Sequence, residues 1–264
     1  MSKLSPALNA YVIVMSVFLV APIVVVVIAA FTSGEFITFP PQSFSLRWFD
    51  KVIRDPEFIS PLWNSIRLGA SATVVASVLA VPAAVALVRG DIPGRRLIES
   101  FLLAPLSLPT IILAVGLLFF TAQIGLGASF TSLLIGHVVI VIPYVLRTVL
   151  GVYMSANHET EDAARVLGAN PLQTFWHVTL PTIRPGILAG GIFAFLMSFD
   201  EVAVSILLSN TDTTPLPVSI LSYLVYNYDP SVAAISTIQI AIVIVVLLIL
   251  ERVFGIRNVM FASR

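Results

Sequence analysis

Six runs of about twenty apolar residues dominate this chain, and each is long enough to cross a bilayer as a helix. They cover residues 11–31, 68–88, 101–121, 130–151, 187–208 and 232–250. The first follows Lys3 and exceeds a secretory core of about 7–15 residues, so it is expected to persist as a helix. The fold class expected is an all-α membrane protein with six transmembrane helices in one domain, residues 1–264.

What remains between the runs excludes whole classes of function. Only 11% of residues are charged, against about 25% in an ordinary soluble domain. The 14 basic residues balance the 14 acidic ones, so no net field draws in an anionic polymer. There is no cysteine, which removes disulfides, thiol catalysis and Cys-ligated metals. The only lysines are Lys3 and Lys51. Neither follows a glycine, so the Gly-Lys-Ser/Thr end of a phosphate-binding loop is missing. No Gly-x-Ser-x-Gly or dinucleotide fingerprint occurs either, and no enzymatic constellation is expected.

An even number of spans puts both termini on one side. That side would hold Lys3, Arg89, Arg95, Arg96, Arg147, Arg165, Arg184, Arg252, Arg257 and Arg264, against Arg47, Lys51, Arg54 and Arg67 on the other. Basic residues near span ends favour the cytoplasm, so both termini are expected there. Two connecting segments are then long: an external one, about 32–64, and a cytoplasmic one, about 152–186. Long connections in compact folds usually carry function.

The cytoplasmic segment reads as two short helices around a tight corner. Residues 159–167 are helix-forming, with Glu159, Glu161 and Asp162 in the first turn where the helix dipole favours acids. Gly168 sits where a helix end wants a left-handed residue. Asn170, Pro171 and Gln173 restart a helix as N-cap, first residue and capping-box partner. Leu172, Phe175 and Trp176 share a face, and Pro181 and Pro185 are expected to stop this helix before the fifth span. Ala163 and Ala164 leave little bulk in the way of an approaching surface. Two uses fit: docking into a cleft on a cytoplasmic partner, or lying on the bilayer interface.

Asp162-Ala163-Ala164, three residues, Gly168, nine residues, then Val178, Thr179, Leu180 and Pro181 resembles the Glu-Ala-Ala loop of ABC importer permeases, with Asp162 and Val178 as conservative departures. The resemblance covers nearly the whole chain. It implies the type I ABC importer permease fold, multi-pass in a bacterial inner membrane. It also implies a coupling loop in which Asp162, Ala163, Ala164, Gly168, Leu180 and Pro181 engage an ATPase subunit. The implied partners are a second homologous permease, two cytosolic ATPase subunits and an external solute-binding protein. No cofactor is implied on this chain, with ATP and Mg on the partner ATPase.

Asp200 and Glu201 interrupt the fifth run. An ionised side chain at bilayer depth costs at least about 2.5–3.5 kcal/mol and marks a bundle interior or an aqueous path. Adjacent helical residues diverge by about 100°, so at most one acid faces such a path squarely. A carboxylate there suits an ammonium group; the alternative is a structural pair bonded to neighbouring helices. The string Ser198-Phe199-Asp200-Glu201 resembles that of the second-permease type of the spermidine/putrescine importer group. A polyamine or related small cationic nitrogen compound is the substrate this implies, with opines, amino-acid derivatives or other small solutes as the alternative. Tyr223 and Tyr226, with Tyr228, would line an outer gate or form an interfacial aromatic belt.

Other signals carry less. His158-Glu159 begins a zinc-type motif that Asp162 breaks. His137, inside the fourth run, is expected to bond a helix backbone. Gly186 and Gly190 allow close helix approach, though the pattern is a common one. A proton-coupled carrier that titrates Asp200 or Glu201 is the rival class, though the inverted repeats typical of such folds are not evident.

Overall fold

The computed structural model describes residues 6–254, and Lys3, Arg257 and Arg264, counted above for orientation, lie outside the described residues. The described chain is almost wholly helical. The helices are α1 Pro6–Ala30, α2 Arg47–Arg54, α3 Pro56–Arg89, α4 Arg95–Leu103, α5 Thr110–Gln123, α6 Phe130–Ser155, α7 Glu159–Val166, α8 Pro171–Thr174, α9 Leu180–Phe199, α10 Ala203–Leu208, α11 Leu216–Tyr226 and α12 Ser231–Phe254. Among the described residues five helices are long and apolar enough to cross a membrane, or six if one bent pair is counted as a single span.

That bent pair stands where the third span was expected over 101–121, interrupted at its two prolines. α4 runs into a 3-10 turn at Ala104–Ser107, and α5 leaves it at 107°. Two prolines explain the corner. Pro109 disfavours helical geometry in the residue before it, and Leu108 is indeed extended at φ −90°, ψ 139°. Pro105 sits near the start of the 3-10 turn, where its missing N–H costs nothing.

The fifth span also departs from expectation at both ends. Pro181 and Pro185 do not stop the loop helix: Pro171–Phe199 forms one long helical path. Phe175–Thr179 is wound as a wider π-turn that ends two residues before Pro181. That widening accommodates a ring that would clash with the carbonyl four residues back in a regular helix. At the other end α9 stops at Phe199, not near 208, and α10 restarts at Ala203. Likewise α3 begins at Pro56, so part of the long 32–64 segment is already helical, and α6 reaches Ser155, which shortens the loop that follows.

The described chain divides into two compact units. One combines the residues up to Ser60 with Ser219–Val245; the other is Pro61–Val218 with the residues beyond Val245. In the first, α1 is apolar on every face and leaves Phe18 and Leu19 exposed, as suits a helix whose neighbours are acyl chains. Phe31 meets Phe49 at 4.9 Å, and Trp48 donates its indole N–H to the Gly34 carbonyl.

The second unit holds the apolar core, centred on α6. α3 contributes Ala72, Ala76, Ala80 and Ala84, all buried, four residues apart on one face, a stripe of small side chains that lets backbones approach. α9 approaches α6 closely. A β-carbon at Gly190 would lie 2.7 Å from the Val145 α-carbon and collide with Thr148; one at Gly186 would meet the Thr148 carbonyl at 2.9 Å. The glycine pair, a common pattern in sequence, is here the seam of the core.

Candidate functional site

The corner of the loop between α6 and α9 is built as its sequence suggests. Asn157 accepts from the Glu159 N–H to open α7. Gly168 turns the corner at φ +92°, a region that costs any residue with a β-carbon about 1–2 kcal/mol. Asn170 accepts from the Gln173 N–H at 2.8 Å while the Gln173 side chain accepts from the Asn170 N–H at 2.9 Å, a complete capping box. The corner is apolar yet uncovered: Val166 is 87% and Leu167 88% exposed, and Leu172 and Trp176 stand out beside them. Ala163 is exposed and Ala164 half-buried; Leu180 is half-buried and Pro181 exposed. Phe175 alone of the expected face turns inward to the core.

Of the two neighbouring acids in α7, Asp162 is the outward one. Its side chain is 61% exposed and lies 3.8 Å from Arg165 and 3.9 Å from Arg89. Glu161, which no sequence motif singles out, is buried. Its carboxylate accepts from Arg89 Nε at 2.7 Å and from Arg89 Nη2, from Tyr153 Oη at 2.9 Å and from Thr179 Oγ1 at 2.7 Å. Burial would raise its pKa, but the hydrogen bonds from Thr179, Arg89 and Tyr153 outweigh that and hold the carboxyl below its ordinary value.

The acid pair does not lie within a continuous helix. Asp200 and Glu201 form the break between α9 and α10, where a carboxylate can satisfy backbone donors of the restarting helix. Glu201 does so: its Oε1 accepts from the Val204 N–H at 3.2 Å, and it is half-buried. Asp200 is the exposed member. Behind the break, His137 contacts Ser198 Oγ at 2.7 Å through Nδ1 and Ser205 Oγ at 3.1 Å through Nε2, while Ser205 donates to the Glu201 carbonyl at 2.8 Å. His137 thus bonds two serine hydroxyls across the break rather than a helix backbone, because the interrupted helix presents hydroxyls on both sides of it. Ser198 and Phe199 are both buried, with Phe199 stacked on Phe195 at 5.5 Å. They brace the break.

In the other unit Tyr223 is buried. Its hydroxyl donates to Asp229 at 2.9 Å and accepts from Lys51 at 3.2 Å, and its ring meets Phe58 at 4.9 Å. Lys51 also bonds Asp229 at 2.7 Å and lies over the Trp48 ring at 5.3 Å. Tyr226 and Tyr228 are exposed. Tyr223 is therefore committed to an ion pair, while Tyr226 remains accessible.

Residues 72–257 match the family described as Binding-protein-dependent transport system inner membrane component. The chain is 31% identical over 228 residues to the putrescine transport system permease protein PotI of Escherichia coli, covering 84% of this chain and 81% of that one. It is 27% identical over 234 residues to the spermidine/putrescine transport system permease protein PotC of Haemophilus influenzae, covering 89% and 91%. Among solved structures, a bacterial ABC transporter involved in the import of the acidic polysaccharide alginate shares the fold with TM-score 0.73 at 21% identity, over 94% of this chain and 95% of that one. The chain belongs to this family: it is an inner-membrane permease subunit of a bacterial ABC importer, a transport component and not an enzyme. Membership favours ATP-driven import over the proton-coupled alternative.

Proposed function

We propose that this permease subunit carries a polyamine or a related small cationic nitrogen compound, putrescine foremost, delivered by an external solute-binding protein. The observation that carries the reading is the place of Asp200, an exposed residue, at the break between α9 and α10. A fixed anion at an interruption of a membrane helix offers an alkylammonium group a counter-charge that lipid cannot supply. The relatives named for putrescine and for spermidine/putrescine transport support the same class. Glu201 shapes the break, and Ser198 and Phe199 brace it.

Both termini and the α6–α9 loop lie on the cytoplasmic side in this reading, as the distribution of arginines favours. The exposed corner at Val166, Leu167, Leu172 and Trp176 docks on a cytosolic ATPase subunit, one of two, which binds the ATP and Mg. A second homologous permease completes the path. Closure of the ATPases moves the corner, the bundle opens outward to receive substrate, and it returns inward after hydrolysis.

Two measurements test this. Calorimetry of the cognate binding protein against putrescine, spermidine and opine-like compounds is expected to show cation binding; neutral or anionic ligands alone would overturn the substrate class. Asp200→Asn should lower uptake of the cation about tenfold or more, the loss of one charge-assisted contact of about 1.5–3 kcal/mol, with the permease still present in the membrane.

A further inference from the structure

α7 is attached to the rest of its unit in an unusual way. Among its eight residues the buried one is Glu161, a carboxylate, while Ala163 and Val166, with Leu167 just beyond, face outward. A short surface helix ordinarily holds on by an apolar stripe. This one holds on by a charged peg whose donors come from three places: the last residue of α3 (Arg89), the last turn of α6 (Tyr153) and the π-turn leading into α9 (Thr179). Arg89 also donates to the His158 carbonyl at the start of α7.

The choice of contact matters physically. Apolar contacts are non-directional and tolerate sliding. A buried carboxylate is different: its desolvation is offset only while each donor stays in place, and charge-assisted bonds to a planar guanidinium are directional. Displacement of α7 therefore cannot be absorbed by slip at Glu161. It has to move Arg89 and Tyr153, the ends of α3 and α6, together with the head of α9.

We propose that Glu161 is the positioning residue that transmits movement of the α7–α8 corner to the ends of α3, α6 and α9. The proposal rests on the reading of that corner as the ATPase-docking element. It assigns Glu161 no contact with the ATPase or the substrate: Asp162 faces outward and Glu161 faces the scaffold.

The test uses the assembled importer, with its ATPase and binding protein, in proteoliposomes. Glu161→Gln keeps the shape and removes the charge. The result expected is an unchanged amount of copurifying ATPase, continued ATP hydrolysis, and a fall of about tenfold in substrate imported per ATP, within the span of ordinary coupling energies. Arg89→Met should reproduce it. Tyr153→Phe and Thr179→Val, which each delete one donor and spare the ion pair, should lower the ratio about two- to threefold.

A proportional fall of uptake and hydrolysis at constant ratio would mean a merely structural role and overturn the proposal. So would loss of the ATPase from the Glu161→Gln complex, which would make Glu161 part of docking. If Glu161→Gln does not assemble, the two single-donor variants decide by the same ratio. Gly168→Asp tests the underlying reading separately. It should abolish transport while the permease stays in the membrane; normal coupling in that variant defeats docking at the corner whatever Glu161 does.

Discussion

Two ion pairs in this molecule are made of the same parts and differ in setting. Arg89–Glu161 and Lys51–Asp229 each join a basic side chain, a carboxylate and a tyrosine hydroxyl, Tyr153 in one and Tyr223 in the other. In the first, the carboxylate is 5% exposed and the base 24%; in the second, the values are 23% and 40%. Chemistry alone does not rank them. Exposure does, because water that reaches an ion pair screens it and replaces whatever bond is lost. The buried pair should behave as a joint, and the half-exposed pair as a tether between α2 and the approach to α12.

The largest difference is expected on truncation. Glu161→Ala leaves the Arg89 guanidinium and two hydroxyls without their acceptor and should cost about 3–5 kcal/mol. It should be read as a large drop in the thermal inactivation midpoint of the detergent-solubilised complex. Asp229→Ala should cost about 1 kcal/mol or less. Equal losses would erase the distinction between joint and tether.

A smaller, sharper contrast lies in pH dependence. The Glu161 carboxyl is held below its ordinary value of 4.5, since the bonds from Thr179, Arg89 and Tyr153 outweigh its burial. Its contribution is therefore full above about pH 4.5 and is lost as pH falls through the lower value reached in the folded protein. Arginine does not titrate in the accessible range, so this pair has an acid limit only.

Lys51–Asp229 has two limits. Burial would lower the Lys51 pKa, but bonds to Asp229 and Tyr223 raise it above the ordinary 10.5; Asp229 lies below its ordinary 3.8, with burial again outweighed by the bonds from Lys51 and Ser231. Stability from this pair fades as pH rises through the raised lysine value and as pH falls through the depressed carboxylate value. Thermal midpoints of wild type and Lys51→Met should converge at both extremes, and those of wild type and Glu161→Gln at the acid one alone.

The smallest effect separates the tyrosines. Tyr223→Phe removes a donor to Asp229 and should cost about 0.5 kcal/mol, whereas Tyr226→Phe should leave the thermal midpoint unchanged. A matching loss at Tyr226 would show that exposure has been misjudged as the deciding variable.

Much of the α6–α9 loop is legible in its own residues. The Gly168 turn and the Asn170–Gln173 capping box are demands of a few consecutive positions, and no distant partner alters them. The spans are legible for a similar reason: hydrocarbon length and backbone satisfaction leave long apolar runs little else to do. Legibility fails where prolines act together with neighbours. Pro105 and Pro109 are plain in the sequence, but the 107° bend they permit is not; Pro181 reads as a stop because the π-turn that accommodates it has no sequence signature. The Gly186–Gly190 pair is plain too, and only the presence of Val145 and Thr148 opposite makes it a seam.

Apolar length, turn chemistry and charge are local properties, so a helical membrane protein with a tight corner at Gly168 and two pairs of adjacent acids could be read from the residues alone. Only the tertiary structure decided which acid of each pair turns inward. Adjacent helical residues point about 100° apart, and the phase of α7 is set by Arg89, far away in the sequence, as the break after α9 is set against His137. Glu161 is buried against Arg89 while Asp162 is exposed, and Glu201 caps α10 while Asp200 is the exposed residue, through partners that no local pattern announces.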